Sequence, residues 1–177
     1  MFPRDVISTG PLVLRPPLDA DAEAVARACD DPLTARFLPR LPSPYGLDDA
    51  REYLKTAEAK WESGGAEWTI TENGRYAGAI GLLPPDAWGA AAIGYQVAPW
   101  ARGRGVASTA ARAVADWALD QGVHRVELQA AVDNVGSLSV AYKAGFREEG
   151  ILRKLKRLRD GRWYDMVAFA RIAGEPA

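Results

Sequence analysis

Apolar positions recur along this chain with two periods, and the switches between them divide it into strands and helices. Leu12-Val13-Leu14-Arg15 reads as a short strand closed by Pro16-Pro17. Asp19 is then placed to cap a helix that turns Leu18, Ala22, Val25 and Cys29 inward. Residues 32 to 46 contain Pro32, Pro39, Pro42 and Pro44, which predicts a loop without regular helix, flanked by Phe37 and Tyr45. From about Asp48 the helical period returns, with Ala50, Leu54, Ala57 and Trp61 on one face and a stop at Gly64-Gly65. Two strands, Glu67 to Glu72 and Arg75 to Leu83, meet across Asn73-Gly74, a dipeptide that tolerates the positive φ angles of a tight hairpin. A strand from Ala91 to Ala98, a helix from about Val106 to Gln121 ended by Gly122, and a strand from Arg125 to Val132 form a crossover unit with a parallel pair. In the last of these, Val126, Leu128, Ala130 and Val132 share a face. A short helix, about Val135 to Ala144, ends at Gly145, and a second hairpin joins Phe146–Leu158 to Arg162–Ile172 across Asp160-Gly161. The order predicts an α/β (α+β) fold with a mixed, mostly antiparallel sheet of about 6–7 strands and helices on both faces.

Composition narrows the function. A chain of 177 residues fits a single domain, residues 1–177, with no repeat or linker; at this size roughly 70% of the unfolded surface is buried on folding. Lys and Arg total 22 against 23 Asp and Glu, a formal net charge of -1, which argues against nucleic acid as the main partner. Cys29 is the sole cysteine and reads as core, so neither a disulfide framework nor a cysteine-built metal site is expected. No stretch approaches the roughly 18 apolar residues of a membrane span and the first residues lack a signal peptide's apolar run. The expectation is a soluble, cytoplasmic protein with no membrane partner.

Candidate chemistry concentrates where the third strand feeds the long helix, in Arg102-Gly103-Arg104-Gly105-Val106-Ala107. A helix's first turn has unpaired N–H groups and a partial positive charge, and glycine lets an anion approach the backbone closely. Arg102 and Arg104 add charge-assisted donors. A P-loop is excluded because no Lys follows Gly105, and a dinucleotide fingerprint because Ser108 stands where its third glycine belongs. Taken alone, two glycines spaced in this way also suit a turn with solvated arginines.

The segment matches the Arg/Gln-x-x-Gly-x-Gly/Ala pattern of the GNAT (general N-acetyltransferase) superfamily. A second stretch, Asn134-Val135-Gly136-Ser137 through Tyr142-Lys143-Ala144-Gly145-Phe146, resembles that family's later motif, an Asn that starts a helix and a Gly-Phe that ends it. The opening Leu-Arg-Pro, Ile93-Gly94-Tyr95, Ser137 three residues after Asn134, and Asp160-Gly161 with Asp165 are similar to the branch of ribosomal-protein N-terminal (Rim-type) acetyltransferases. The resemblance implies acetyl-CoA as cosubstrate, no metal, an amine acceptor and direct attack of the amine on the thioester through a tetrahedral intermediate. It implies that N–H groups from about Gly103 to Ala107 bind the pyrophosphate, and that the strand edge at Tyr95, Gln96 and Val97 bonds the pantetheine amides. The parallel pair is expected to splay and admit the pantetheine arm. Asn134 would bond the arm, Ser137 would lie near the sulfur as the thiolate's proton donor, and Lys143 or a neighbouring arginine would meet the 3′-phosphate. A homodimer is common in similar proteins.

Two departures from the family's pattern bear on mechanism. Relatives often carry a Tyr seven residues after the Asn, but that position is Ala141 and Tyr142 lies one further on, about 100° around the helix. Relatives often carry a Glu just before Ile-Gly-Tyr, which here is Ala92. Glu67, Asp86 and Asp133 are candidate bases through water, none of them singled out by the sequence, and His124, at the start of its strand, reads as surface. Trp88 and Trp100, near loops, are candidates for the acceptor cleft, and Arg153 to Arg159 reads as a solvated sheet edge. Two other readings are a non-catalytic acyl-CoA-binding module and an enzyme using another donor such as succinyl-CoA.

Overall fold

The computed structural model describes residues 2–176. Its strands are β1 (Ile7–Thr9), β2 (Leu12–Arg15), β3 (Ala66–Glu72), β4 (Arg75–Leu82), β5 (Ala90–Val97), β6 (Arg125–Ala131), β7 (Arg147–Arg157) and β8 (Trp163–Ile172). Its helices are α1 (Ala22–Cys29), α2 (Pro32–Phe37), α3 (Leu47–Glu62), α4 (Val106–Asp120) and α5 (Val135–Lys143). The strands form one 8-stranded sheet in the order β1-β2-β3-β4-β5-β6-β8-β7, antiparallel except for β5 and β6. One strand more than expected arises because β1, three residues long, carries no readable alternation of its own; it is held by pairing Ile7 to Leu14 and Thr9 to Leu12.

Residues Ala66 to Thr71 of β3 are all buried, so both faces of the central sheet are covered. Trp61 of α3, Trp68 of β3 and Trp117 of α4 pack edge to face, with ring centroids 5.0 Å apart in each pair. Ala110, Ala111, Val114, Ala115 and Ala118 of α4 are fully buried, and their small side chains let the helix lie close on the strands.

Three expectations need correction. Pro32 does not forbid a helix: it occupies the first turn of α2, where its missing N–H costs nothing, and the Asp31 carboxylate caps the turn by accepting from Thr34 N at 2.8 Å. Asp19 caps nothing; it begins a short 3₁₀ turn, Asp19–Asp21, whose preceding Leu18 N–H bonds to the Asp21 carboxylate at 2.9 Å. Leu18 itself is 53% exposed, because the turn rotates it away from the face of Ala22, Val25 and Cys29. Asn73 and Gly74 take φ of 50° and 77°, as the hairpin requires.

Candidate functional site

The sheet splits where its one parallel pair ends. β5 and β6 pair only at Ala90–Arg125, Ala91–Val126 and Ala92–Glu127. Beyond Ala92, β5 continues on β4 as far as the Gly78–Val97 pair, and β6 continues on β8 as far as Ala131–Met166. Each strand keeps its outer partner and loses the inner one. Gly78 helps draw β5 away: a Cβ there would lie 2.3 Å from Gln96 O, so only glycine lets β4 approach this closely.

Backbone direction along β5 decides which groups face the gap. Ala92 O accepts from Leu83 and Ala98 N donates to Ala77, so even-numbered residues point to β4 and odd-numbered ones to the split. Tyr95 therefore offers its N–H and C=O groups to the gap and Val97 its N–H, the Val97 C=O accepting from Arg102 Nε, whereas the Gln96 backbone is used on β4. The Gln96 side chain also points elsewhere: its Nε2 donates to Tyr76 Oη at 2.7 Å, and its buried Oε1 has no partner among the described residues. As a backbone ligand for an arm in the gap, Gln96 is thus corrected. Across the split, Glu127 N and its odd-numbered neighbours face β5 in the same way, which brings the Gln129 backbone to the gap; no motif marked it.

α4 begins with no side-chain cap and no acidic residue in its first turn. Thr109 is the first residue to return its N–H to the turn, at 3.0 Å from Gly105 O. Among the described residues, the N–H groups of Gly103, Arg104, Gly105, Val106 and Ala107 have no acceptor. Gly103 and Gly105 take φ of 76° and 81°, and the turn from Gly103 to Gly105 is exposed. Nothing lies within 4 Å of where a Cβ on Gly103 would stand, and only Ser108 Oγ, at 3.9 Å, near that of Gly105. The result is an uncapped positive helix end with open space before it.

The two arginines differ. Arg102 donates to Asp31 Oδ2 at 2.5 Å, Thr34 Oγ1 at 2.8 Å and Val97 O at 3.3 Å, so its side chain binds the turn to α2 and not to an anion. Of the two arginines expected to add charge-assisted donors, Arg102 thus has its Nε and Nη2 engaged within the protein. Arg104 is half exposed and pairs with Glu72 at 2.5 Å. A cleft of about 480 Å³ is lined by Glu72, Arg75, Tyr76, Trp100 and Arg104 among others and lies on the β3–β4 side of the turn, not in the gap.

α5 supplies the other wall. Asn134 caps it, its Oδ1 accepting from Ser137 N at 3.1 Å, which frees the Ser137 hydroxyl from capping. That hydroxyl lies 2.7 Å from Tyr95 Oη. Burial pushes the Tyr95 phenol above its ordinary pKa, and the bond to Ser137 only partly offsets this. Ala141 is fully buried, while Tyr142 is 55% exposed, bonded to Glu148 and edge-on to Phe169 at 5.2 Å; it does not enter the gap. Lys143 is exposed, and its carbonyl accepts from Arg112 Nη2 at 2.7 Å, which brings a second cation to the α4–α5 junction.

The candidate bases separate by position. Asp86 accepts from Trp88 N and Ala90 N at 2.8 and 2.9 Å, at the paired end of β5, and exposed Trp88 and His124 belong to that end too. Trp88 therefore lines no cleft at the open end. Glu67 is buried, accepting from Tyr53 Oη at 2.6 Å and from Lys60. Asp133 stands at the open end, 2.6 Å from Arg36. Burial raises the Cys29 thiol to about 11, in keeping with a core role. Among the described residues no group of three or more His, Cys, Asp or Glu could hold a metal ion, and no helix is long and apolar enough to cross a membrane.

Known proteins share this fold. Residues 11–147 match the family model described as the acetyltransferase (GNAT) domain. "Probable N-acetyltransferase YjcK" of Bacillus subtilis (strain 168) is 40% identical over 79 residues, 44% of this chain and 43% of that protein, so the match spans less than half of the curated relative. A crystal structure described as a probable acetyltransferase superposes with a TM-score of 0.86 at 25% identity, covering 97% of this chain and 99% of the other. Mycobacterium smegmatis RimJ in complex with CoA-disulfide does so with a TM-score of 0.86 at 25% identity, covering 96% and 88%. A helix whose bare N-terminus opens beside a split parallel pair, within a matched stretch of this length, places the chain in the GNAT acetyltransferase family.

Proposed function

We propose that the protein is an acetyl-CoA-dependent N-acetyltransferase acting on a primary amine, a protein N-terminus or a small amine. The observation that carries this reading is the uncapped start of α4 beside the gap that opens after the Ala92–Glu127 pair. The residues fit a CoA diphosphate: N–H groups from Gly103 to Ala107 lack acceptors, and two glycines leave the approach clear. Arg104, itself half exposed, can turn from Glu72 to a phosphate, which offers a charge-assisted contact of the same kind. Lys143 and Arg112 stand where a 3′-phosphate could be met. Tyr95 and Val97 present amide groups of the spacing a pantetheine arm needs, and Asn134 keeps its Nδ2 for the same arm. The acyl donor supplies an activated carbonyl. The chain's own part is to orient it, an effect worth roughly 7–11 kcal/mol when both reactants are aligned, and to bond the departing sulfur through Ser137.

Gly105→Glu tests the reading, because it sets a carboxylate against the diphosphate and imposes a left-handed φ on a residue with a Cβ. The fold is expected to persist by circular dichroism while calorimetry finds acetyl-CoA affinity reduced at least about 100-fold. Unchanged affinity removes the site. Wild-type binding with no thiol release across an amine panel would instead favour a non-catalytic acyl-CoA-binding module, a reading motivated by Ala92 and Ala141. Competition between acetyl-CoA and succinyl-CoA for one acceptor fixes the donor.

A further inference from the structure

The Tyr95–Ser137 contact crosses the gap from strand to helix and has no packing task that a phenylalanine could not perform. We propose that Tyr95 is a positioning residue for release of the CoA thiol: its hydroxyl donates to Ser137 Oγ and so turns the serine's single hydrogen toward the sulfur. The inference rests on the proposed acyl-CoA site and adds to it a second residue, supplied by β5.

Two hydroxyls 2.7 Å apart share one hydrogen bond and leave one hydrogen over. A phenol is far more acidic than an alkanol, so the stable arrangement has Tyr95 donating and Ser137 accepting. Burial favours the neutral phenol, so it remains a donor throughout the ordinary working range of pH. The serine's backbone is held in place, because Asn134 Oδ1 accepts from its N–H at 3.1 Å. A donor that itself accepts a hydrogen bond is polarised and donates more strongly, which matters most when sulfur carries negative charge. The balance of the step is simple: as the tetrahedral intermediate collapses, its oxyanion re-forms the carbon–oxygen double bond, the carbon–sulfur bond breaks with its electron pair going to sulfur, and the Ser137 O–H stabilises that sulfur until a solvent proton arrives. Neither hydroxyl loses its proton.

The test uses CoA itself and needs no acceptor. Titrating the thiol of protein-bound CoA by thiolate absorbance is expected to give a pKa below that of an ordinary thiol, about 8.5. Ser137→Ala should raise it by about one unit, a tenfold change in proton affinity, Tyr95→Phe by a smaller amount, and the double variant by no more than Ser137→Ala alone. At about pH 6, where the CoA thiol is protonated in every variant, CoA affinity should stay within about threefold, and the loss should appear only above the thiol pKa, where linkage ties it to the shift. A Tyr95→Phe protein with the wild-type thiol pKa overturns the proposal. So does a shift that adds fully to that of Ser137→Ala, or one larger than it, because either means that the phenol acts on sulfur without the serine. If the wild-type protein does not bind CoA, the proposed function fails and this inference goes with it, an outcome distinct from the others.

Discussion

Arg102 and Arg104 stand two residues apart in one motif and face different chemistry. Arg102 has its guanidinium on a carboxylate that is itself busy: Asp31 caps α2 through Thr34 N and Thr34 Oγ1 while accepting from Arg102. The Asp31 side chain is 17% exposed, so removing its partner leaves a poorly solvated charge. Arg102→Ala is therefore expected to lower unfolding free energy by about 1–3 kcal/mol and to weaken CoA only as far as the turn loosens. Arg104→Ala should do the reverse, changing stability by less than about 0.5 kcal/mol and weakening CoA about tenfold, since a charge-assisted contact to phosphate is lost. Denaturant titration and calorimetry on both variants decide it. Equal effects of the two variants on both measurements would falsify this division of labour.

At the scale of elements, legibility followed locality. Asn73-Gly74, the Ala50/Leu54/Ala57/Trp61 face of α3 and the glycine-rich entry to α4 were readable because short-range geometry alone dictates them. α2 was not, since Pro32 acts as a breaker or a starter depending on whether a capping residue precedes it, and Asp31 does. β1 exists only through its partner, and the Tyr95–Ser137 contact joins residues 42 apart that no local pattern relates. The backbone parity that turns Tyr95 and Val97 toward the gap and Gln96 away depends on how β5 pairs with β4, which no single strand reveals. Gly78 is the position where this pairing is most exposed to test. An alanine Cβ there would stand 2.3 Å from Gln96 O and 3.1 Å from Val97 Cα, both backbone, so β4 or β5 must move. Gly78→Ala is expected to cost about 1–3 kcal/mol, typical of overpacking, and to weaken CoA by more than its effect on the diphosphate turn explains, because the gap itself changes width. A destabilised variant with wild-type CoA affinity would show that the gap does not depend on this approach.

Across the whole molecule, a few paired carboxylates tie together segments that the sheet alone leaves loose. Asp21, 6% exposed, accepts from Arg15 at 2.8 and 2.7 Å, from Leu18 N at 2.9 Å and from Thr69 Oγ1 at 2.9 Å, so β2, α1 and β3 meet on one side chain. Asp31 does the same for α2 and the α4 turn, and Arg36–Asp133 at 2.6 Å carries α2 on to the far rim of the gap. Burial by itself would raise the Asp21 pKa, but the bonds from Arg15, Leu18 and Thr69 outweigh it and hold the group below its ordinary value. For Asp31 the Arg102 bond is the main cause of a lowered pKa. The sign of the pH dependence follows. The unfolded chain protonates these groups near pH 4 and the folded protein only at lower pH, so on acidification U binds protons first. Their contribution is complete above about pH 4 and is lost as pH falls through the folded-state values. Denaturation midpoints are thus expected to fall steeply between about pH 4 and pH 2. Asp21→Asn should be less stable at pH 7 by about 3 kcal/mol, the cost of breaking a buried pair, and should lose less on acidification because its share of the linkage is gone. If Asp21→Asn declines with pH as steeply as the wild type, the acid sensitivity lies elsewhere; a retained decline that disappears in Asp31→Asn would assign it to the Arg102 link, and CoA affinity should then fall over the same pH interval as the α4 turn comes free of α2.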